Sequence, residues 1–198
     1  MFRKILCYLL LLLLGSACTS TQQQEDTLQS LEKKADKLAD SEAFIEIRIN
    51  EQEFYPNQQP FRCIAQILPQ GFKASLIDTS KANVELDCIA NGWIERKPHQ
   101  FILKNQSIGQ ASGDQVIVMI GKLKKTPMLT AEGYLMAEGK MEFKQLSKSR
   151  LIISLEGFVI KPGNANIPEN YLPLRGYIFI KNPRFTPKSD SLLLSKLP

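Results

Sequence analysis

Between residues 43 and 186 the apolar side chains of this 198-residue chain recur at every second position, in short runs divided by turn residues. A period of two puts alternate side chains on opposite faces of an extended strand, a pattern that a helix cannot satisfy. Residues 44–50 set Ile45, Ile47 and Ile49 against Glu46 and Arg48. Residues 61–68 place Phe61, Cys63, Ala65 and Ile67 on one face, and Pro69-Gln70-Gly71 turns the chain. Strands are predicted over 72–78 and 84–90, split by Thr79-Ser80-Lys81. Asn91-Gly92 is the strongest short hairpin signal, because both residues tolerate the positive φ of a type I′ turn. It leads into a strand from Trp93 and, past Pro98, another over 100–104. Residues 115–123 are almost continuously apolar, which predicts a central strand covered on both faces. Strands over 129–137, 140–146 and 150–160 follow, with Glu138-Gly139 and Ser147-Lys148 at the turns; a loop rich in Pro and Asn precedes a last strand over 174–181. About ten short strands with no helix between them predict an all-β fold: an antiparallel β-sandwich, with a β-barrel as the alternative. The roughly 144 residues from 43 to 186 suffice for one hydrophobic core.

The amino terminus carries a different pattern. Arg3 and Lys4 precede residues 5–14, which are apolar or nearly so. As a helix this run rises about 15 Å, half of a hydrocarbon core of about 30 Å, and is too short to span it. A basic start, a short apolar stretch and the small residues Gly15, Ser16 and Ala17 describe an export signal over 1–17. Leu14-Gly15-Ser16-Ala17-Cys18 resembles the lipobox of bacterial lipoproteins, with Gly15 where that family usually has Leu. The resemblance implies cleavage before Cys18 and a diacylglyceryl thioether on its sulfur, often with an N-acyl chain as well. Small side chains let the backbone enter a peptidase cleft, and a thiolate is the best nucleophile available for lipid attachment. Two or three acyl chains hold a protein stably in a bilayer, where one alone is marginal. Thr19, rather than Asp, follows the Cys; by resemblance to enterobacterial sorting this implies the outer membrane.

Removing residues 1–17 takes away Arg3 and Lys4, and the formal charge falls from +5 to +3. Residues 18–42 read as a lipidated start and a tether, polar and without an aromatic. Leu28, Leu31, Ala35 and Leu38 recur there at helical spacing, but the i,i+4 pairs Glu32/Asp36, Lys33/Lys37 and Asp36/Asp40 are like-signed and weaken a helix. As a coil, 24 residues reach about 27 Å. The tail, 187–198, is polar apart from Leu192, Leu193, Leu194 and Leu197, and is either a frayed end or a segment that docks. Charge is uneven along the chain, net −4 over 19–120 and net +7 over 121–198. Such asymmetry suits contact with an anionic surface, lipid headgroups or an acidic polysaccharide.

The chemistry-bearing residues are few. The lone His99 excludes a metal site built from several histidines, and any His-dependent triad would rest on that residue. HExxH, CxxC and GxSxG do not occur. Residues 133–140 imitate a P-loop but put five residues between the glycines instead of four, with Met141 where Ser or Thr would hold Mg²⁺. The chain is therefore read as a non-enzyme without cofactor or metal. Its compartment, and the lack of a basic cluster interleaved with aromatics, argue against nucleic acid. Cys63 and Cys88 both face inward, and export permits a disulfide between them. The bond needs their strands on facing sheets or in a non-meander order; otherwise both are buried thiols. Trp93, Arg96, Lys97 and His99 form a candidate binding surface, since an exposed Trp beside basic groups stacks on a sugar or receives a partner's side chain. A Trp at the start of a strand is as readily interior. The expectation is a lipid-anchored envelope protein, an interaction or accessory module of a larger complex with envelope protein partners. The alternative is a binder of an amphiphile or glycan whose 115–123 strand lines a cavity.

Overall fold

The computed structural model describes residues 32–198 except 57–58, 105–113, 126–128 and 165–166. The export signal, Cys18 and the first part of the tether lie outside the described residues. The chain divides into two units, Met1–Lys37 and Leu38–Pro198. The described part of the first is one helical turn at 32–35 and the turn that ends it. Among the described residues no helix is long and apolar enough to cross a membrane.

The second unit is all-β. Its strands are β1 (Glu42–Ile49), β2 (Gln52–Glu53), β3 (Phe61–Leu68), β4 (Gly71–Ile77), β5 (Asn83–Ile89), β6 (Gln100–Leu103), β7 (Gln115–Lys125), β8 (Leu129–Leu146), β9 (Arg150–Ile160), β10 (Leu172–Lys181) and β11 (Arg184–Phe185). A short helix, α1 (Ser191–Lys196), follows them. β1 pairs with both β10 and β3, so eight strands close into a ring in the order β1-β3-β4-β5-β7-β8-β9-β10, all neighbours antiparallel. The architecture is thus the barrel rather than the two-sheet sandwich. Closure at the seam is narrow, through the pairs Glu42↔Arg62 and Ala43↔Phe61 and the bond from the Cys63 N–H to the Ser41 carbonyl (2.8 Å). β2 covers the far end of β1, and β11 runs parallel along β3. These two short strands occupy edges that would otherwise offer unpaired backbone groups to another chain.

Strand alternation decides what goes inside. Ile45, Ile47 and Ile49 of β1, Phe61, Cys63, Ala65 and Ile67 of β3, and Val84, Leu86 and Cys88 of β5 are all buried, while their neighbours in sequence are not. An eight-stranded barrel has an interior just wide enough for side chains. Here Trp93, Phe61, Phe72 and Phe101 occupy it within one contiguous apolar cluster.

The structure departs from the expectations in four places. Residues 91–98 are turns, not a hairpin and strand, and β5 pairs next with β7. Gly92 takes the positive φ (62°) of a turn that directs Trp93 into the barrel instead of along the sheet. Second, Glu138-Gly139 does not end a strand: β8 runs unbroken past a bulge between Met136 and Glu138. Gly139 (φ 137°) faces Gly157 (φ 152°) there, and a Cβ on Gly139 would stand 2.2 Å from the Glu156 carbonyl oxygen, so only glycine lets the strands approach at the bend. Third, β7 is not covered on both faces. Val116, Val118 and Ile120 are buried, whereas Ile117 and Met119 are 49% and 42% exposed. Fourth, the tail does not fray. Asp190 caps α1 by accepting from the Leu193 backbone N–H at 2.9 Å, and Leu193 and Leu197 join the core.

Candidate functional site

Two aromatic groups plug the barrel. At one end Trp93 packs on Phe72, Phe101 and Phe143 with ring centroids 6.4, 5.5 and 5.8 Å away, and its Nε1 donates to the Leu68 carbonyl at 3.0 Å. Burial removes that N–H from water, and the backbone oxygen replaces the lost partner. At the other end, the loop after β2 brings in Phe54 and Tyr55, packed edge-on against each other and against Tyr134 and Phe61 respectively. The Tyr55 hydroxyl donates towards the carbonyls of Asn83 (2.8 Å) and Gly121 (3.2 Å), and its burial pushes the phenol well above its ordinary range. Lys122 lies 4.0 Å above the Phe54 ring and donates to the Phe54 carbonyl at 2.6 Å. Burial works to raise the nearby Glu132 carboxyl, but Lys124 at 3.2 Å and Lys122 at 3.6 Å outweigh it and hold the group below the usual carboxylate range.

The Trp93 cluster corrects the candidate binding surface. Trp93 is 1% exposed and has no face to offer a sugar or a partner. Arg96 is exposed, bound to the Asp114 carboxylate (2.7 Å) and the Asn91 carbonyl (2.7 Å), where it braces the loop that carries the indole. Lys97 is exposed and His99 half-buried; the His99 carbonyl accepts from the Phe143 backbone N–H at 2.8 Å. Trp93 is thus a plug, braced by Arg96 and by the His99 backbone, and has no place in a surface shared with the exposed Lys97. The signal that Trp93 belongs to the core was its place at the start of a predicted strand; that it plugs the barrel end depends on Phe143, fifty residues along the chain.

The candidate disulfide is corrected as well. Cys63 and Cys88 are buried free thiols. Cys63 pairs across from Leu76 of β4 and Cys88 from Phe72 of the same strand, so β4 stands between them. The offset of four residues along β4 adds about 13 Å, far beyond the ~5.5 Å between Cα atoms of bonded cysteines. Cys88 Sγ instead lies 3.5 Å from Met141 Sδ. Burial pushes the Cys63 thiol up to about 12, and Cys88 is pushed up further by burial and the nearby Asp87 and Asp114 carboxylates. A thiol that high is protonated at pH 8 and does not attack an alkylating reagent. Native protein in non-reducing buffer is therefore expected to take up no iodoacetamide at these positions within minutes, and to take up two adducts once denatured. Intact-mass measurement reads both, and zero adducts after denaturation without reductant would restore the disulfide.

The outer wall supplies a surface that sequence patterning missed. Ile117 and Met119 point outward on β7, and Met119 pairs directly with Leu135 of β8. Across the other flank their partners are Asp87 and Glu85 of β5, bound in turn by Lys73 (2.6 Å) and Ser75 (2.6 Å) of β4. An apolar strip thus runs beside a polar, mainly acidic row on the solvent face of the sheet. The continuous hydrophobicity of residues 115–123 was its signal, misread because a double-faced apolar strand is as consistent with an exposed outer patch as with burial. Compared with known proteins, this chain matches no family model, no curated protein and no solved structure.

Proposed function

We propose that this protein is an envelope lipoprotein, anchored through acylated Cys18, whose barrel is a non-enzymatic docking module for a protein partner in the same envelope. The observation that carries the reading is the outer strip of exposed Ile117 and Met119 with half-buried Leu135 beside them, on a barrel whose inward side chains already form one packed cluster. Exposed apolar groups that are neighbours across a ladder cost solvation free energy unless a partner covers them. A polar margin of Glu85, bound by Ser75, and the Lys73–Asp87 ion pair borders the apolar strip, the arrangement of an apolar centre with a polar rim. The other reading, an amphiphile or glycan binder, requires room in the barrel interior, where Trp93, Phe61, Phe72 and Phe101 stand. It draws no support from the apolar residues of β7, since half of them face out.

Site-specific photo-crosslinking in the native membrane tests the reading. A photoreactive residue at position 117 is expected to give a discrete higher-mass adduct, and the same residue at Arg48, on the outer face of β1, is not. Purification of the chain only as a monomer, with no adduct from 117, would overturn it.

A further inference from the structure

We propose that the end of the barrel where the tether joins is a second docking surface, one that rests on an anionic phospholipid bilayer, with Leu192 set among the headgroups. This rests on the anchor reading above and adds the orientation of the barrel on its membrane.

The chain joins the body at Leu38, whose carbonyl accepts from Lys181 Nζ at 2.8 Å, and at Ser41, whose N–H donates to the Lys181 carbonyl at 2.8 Å. From there a continuous set of backbone bonds leads to the tail: Asn182 N–H to Ser149 (2.7 Å), then Lys148 N–H to Pro198 (3.0 Å). The tether junction, the β8–β9 turn and α1 therefore share one end of the barrel. Nineteen residues, 19–37, lie between Cys18 and Leu38. As a coil their root-mean-square span is about 25 Å, comparable with the height of a barrel whose ten-residue strands tilt by about 40°. A lipid on Cys18 therefore holds this end, on average, nearer the bilayer than the opposite one.

What stands at this end fits a bilayer surface. Lys148, Arg184, Lys188 and Lys196 are exposed, with Arg150 and Lys181 and the acidic Asp40, Glu42 and Asp190 around the tether junction and α1; the Trp93 loop at the same end adds Glu95, Lys97 and the Arg96–Asp114 pair. Asp190 is engaged in capping α1. Leu192 is 64% exposed, more than any other large apolar side chain among the described residues, while Leu193 and Leu197 of the same segment fasten it to the core. One protruding apolar side chain four residues from Lys188 and from Lys196, on a segment that Lys148 Nζ also reaches at the Ser195 carbonyl (3.5 Å), has the composition of an interfacial contact with anionic lipid. The net positive charge of residues 121–198 gathers in part at this end.

The test uses the lipidated full chain with Leu192→Cys carrying a polarity-sensitive fluorophore, reconstituted into phosphatidylcholine vesicles with or without phosphatidylglycerol, each with a headgroup-level quencher lipid. The buried Cys63 and Cys88 leave the label at one position. Glu53→Cys, on β2 at the opposite end, is the control. Quenching at 192 is expected to exceed that at 53 by about twofold or more in the anionic vesicles. The excess is expected to fall in neutral vesicles, at about 1 M salt, where the Debye length is about 3 Å, and in Lys188→Glu/Lys196→Glu. A chain that floats with the vesicles but shows equal quenching at 192 and 53 overturns the docking and leaves the anchor standing. Quenching at 192 that is the same in neutral vesicles overturns the recognition of anionic lipid. A chain that does not float with either vesicle overturns the anchor and the docking together.

Discussion

Trp93→Ala is expected to lower the unfolding free energy by about 3–5 kcal/mol, the range for truncating a large buried aromatic. Domains of this size have only about 5–15 kcal/mol in total, so the variant should be largely unfolded in mild urea that leaves the parent intact. The indole is 1% exposed and touches rings from three strands, Phe72 on β4, Phe101 on β6 and Phe143 on β8. Its removal leaves a hole at the barrel end that neighbours on paired strands cannot move to fill. Trp93→Phe separates the two contributions. It keeps a ring in the cluster but strands the Leu68 carbonyl, at a cost of about 1–3 kcal/mol for an unsatisfied buried group in addition to the lost volume. Urea titration followed by far-ultraviolet dichroism reads both. A midpoint unchanged in Trp93→Ala would show that the ring does not plug the barrel.

Cys18→Ser should abolish anchoring completely. The thioether needs a sulfur nucleophile, and a serine hydroxyl is not appreciably ionised at neutral pH. Labelling cells with an alkyne fatty acid is expected to tag the parent chain and not the variant. Equal labelling of both chains would remove the anchor, and with it the account of tether and bilayer contact.

The strand ladder was legible because alternation is a local property. Residues 61–68 can be delimited from sequence alone, since a turn signal follows them and the side-chain period does not change within. Local reasoning fails where the chain obeys a distant partner. Glu138-Gly139 has the composition of a turn, yet β9 supplies Gly157 opposite it and the strand bends without ending. Ser191 to Lys196 is too short to be a stable helix by itself, and forms because Leu193 and Leu197 find the barrel core. The candidate sites fared less well than the strands for the same reason. Inward orientation of Cys63 and Cys88 follows from period two, but whether two inward residues meet depends on which strand lies between them.

By itself, then, the sequence determined an all-β body of about ten strands, the inward face of those strands that alternate cleanly, such as β1, β3 and β5, and a lipobox-like segment ahead of it. These follow from the pleat, which alternates side chains whatever the neighbours are. Only the tertiary structure decided that the sheet closes as a barrel through two residue pairs of β1 and β3, that Trp93 plugs one end, that β7 shows Ile117 and Met119 to solvent, and that α1 shares an end with the tether junction. Closure is a property of strand order and stagger, fixed by contacts between segments more than a hundred residues apart, such as β1 with β10.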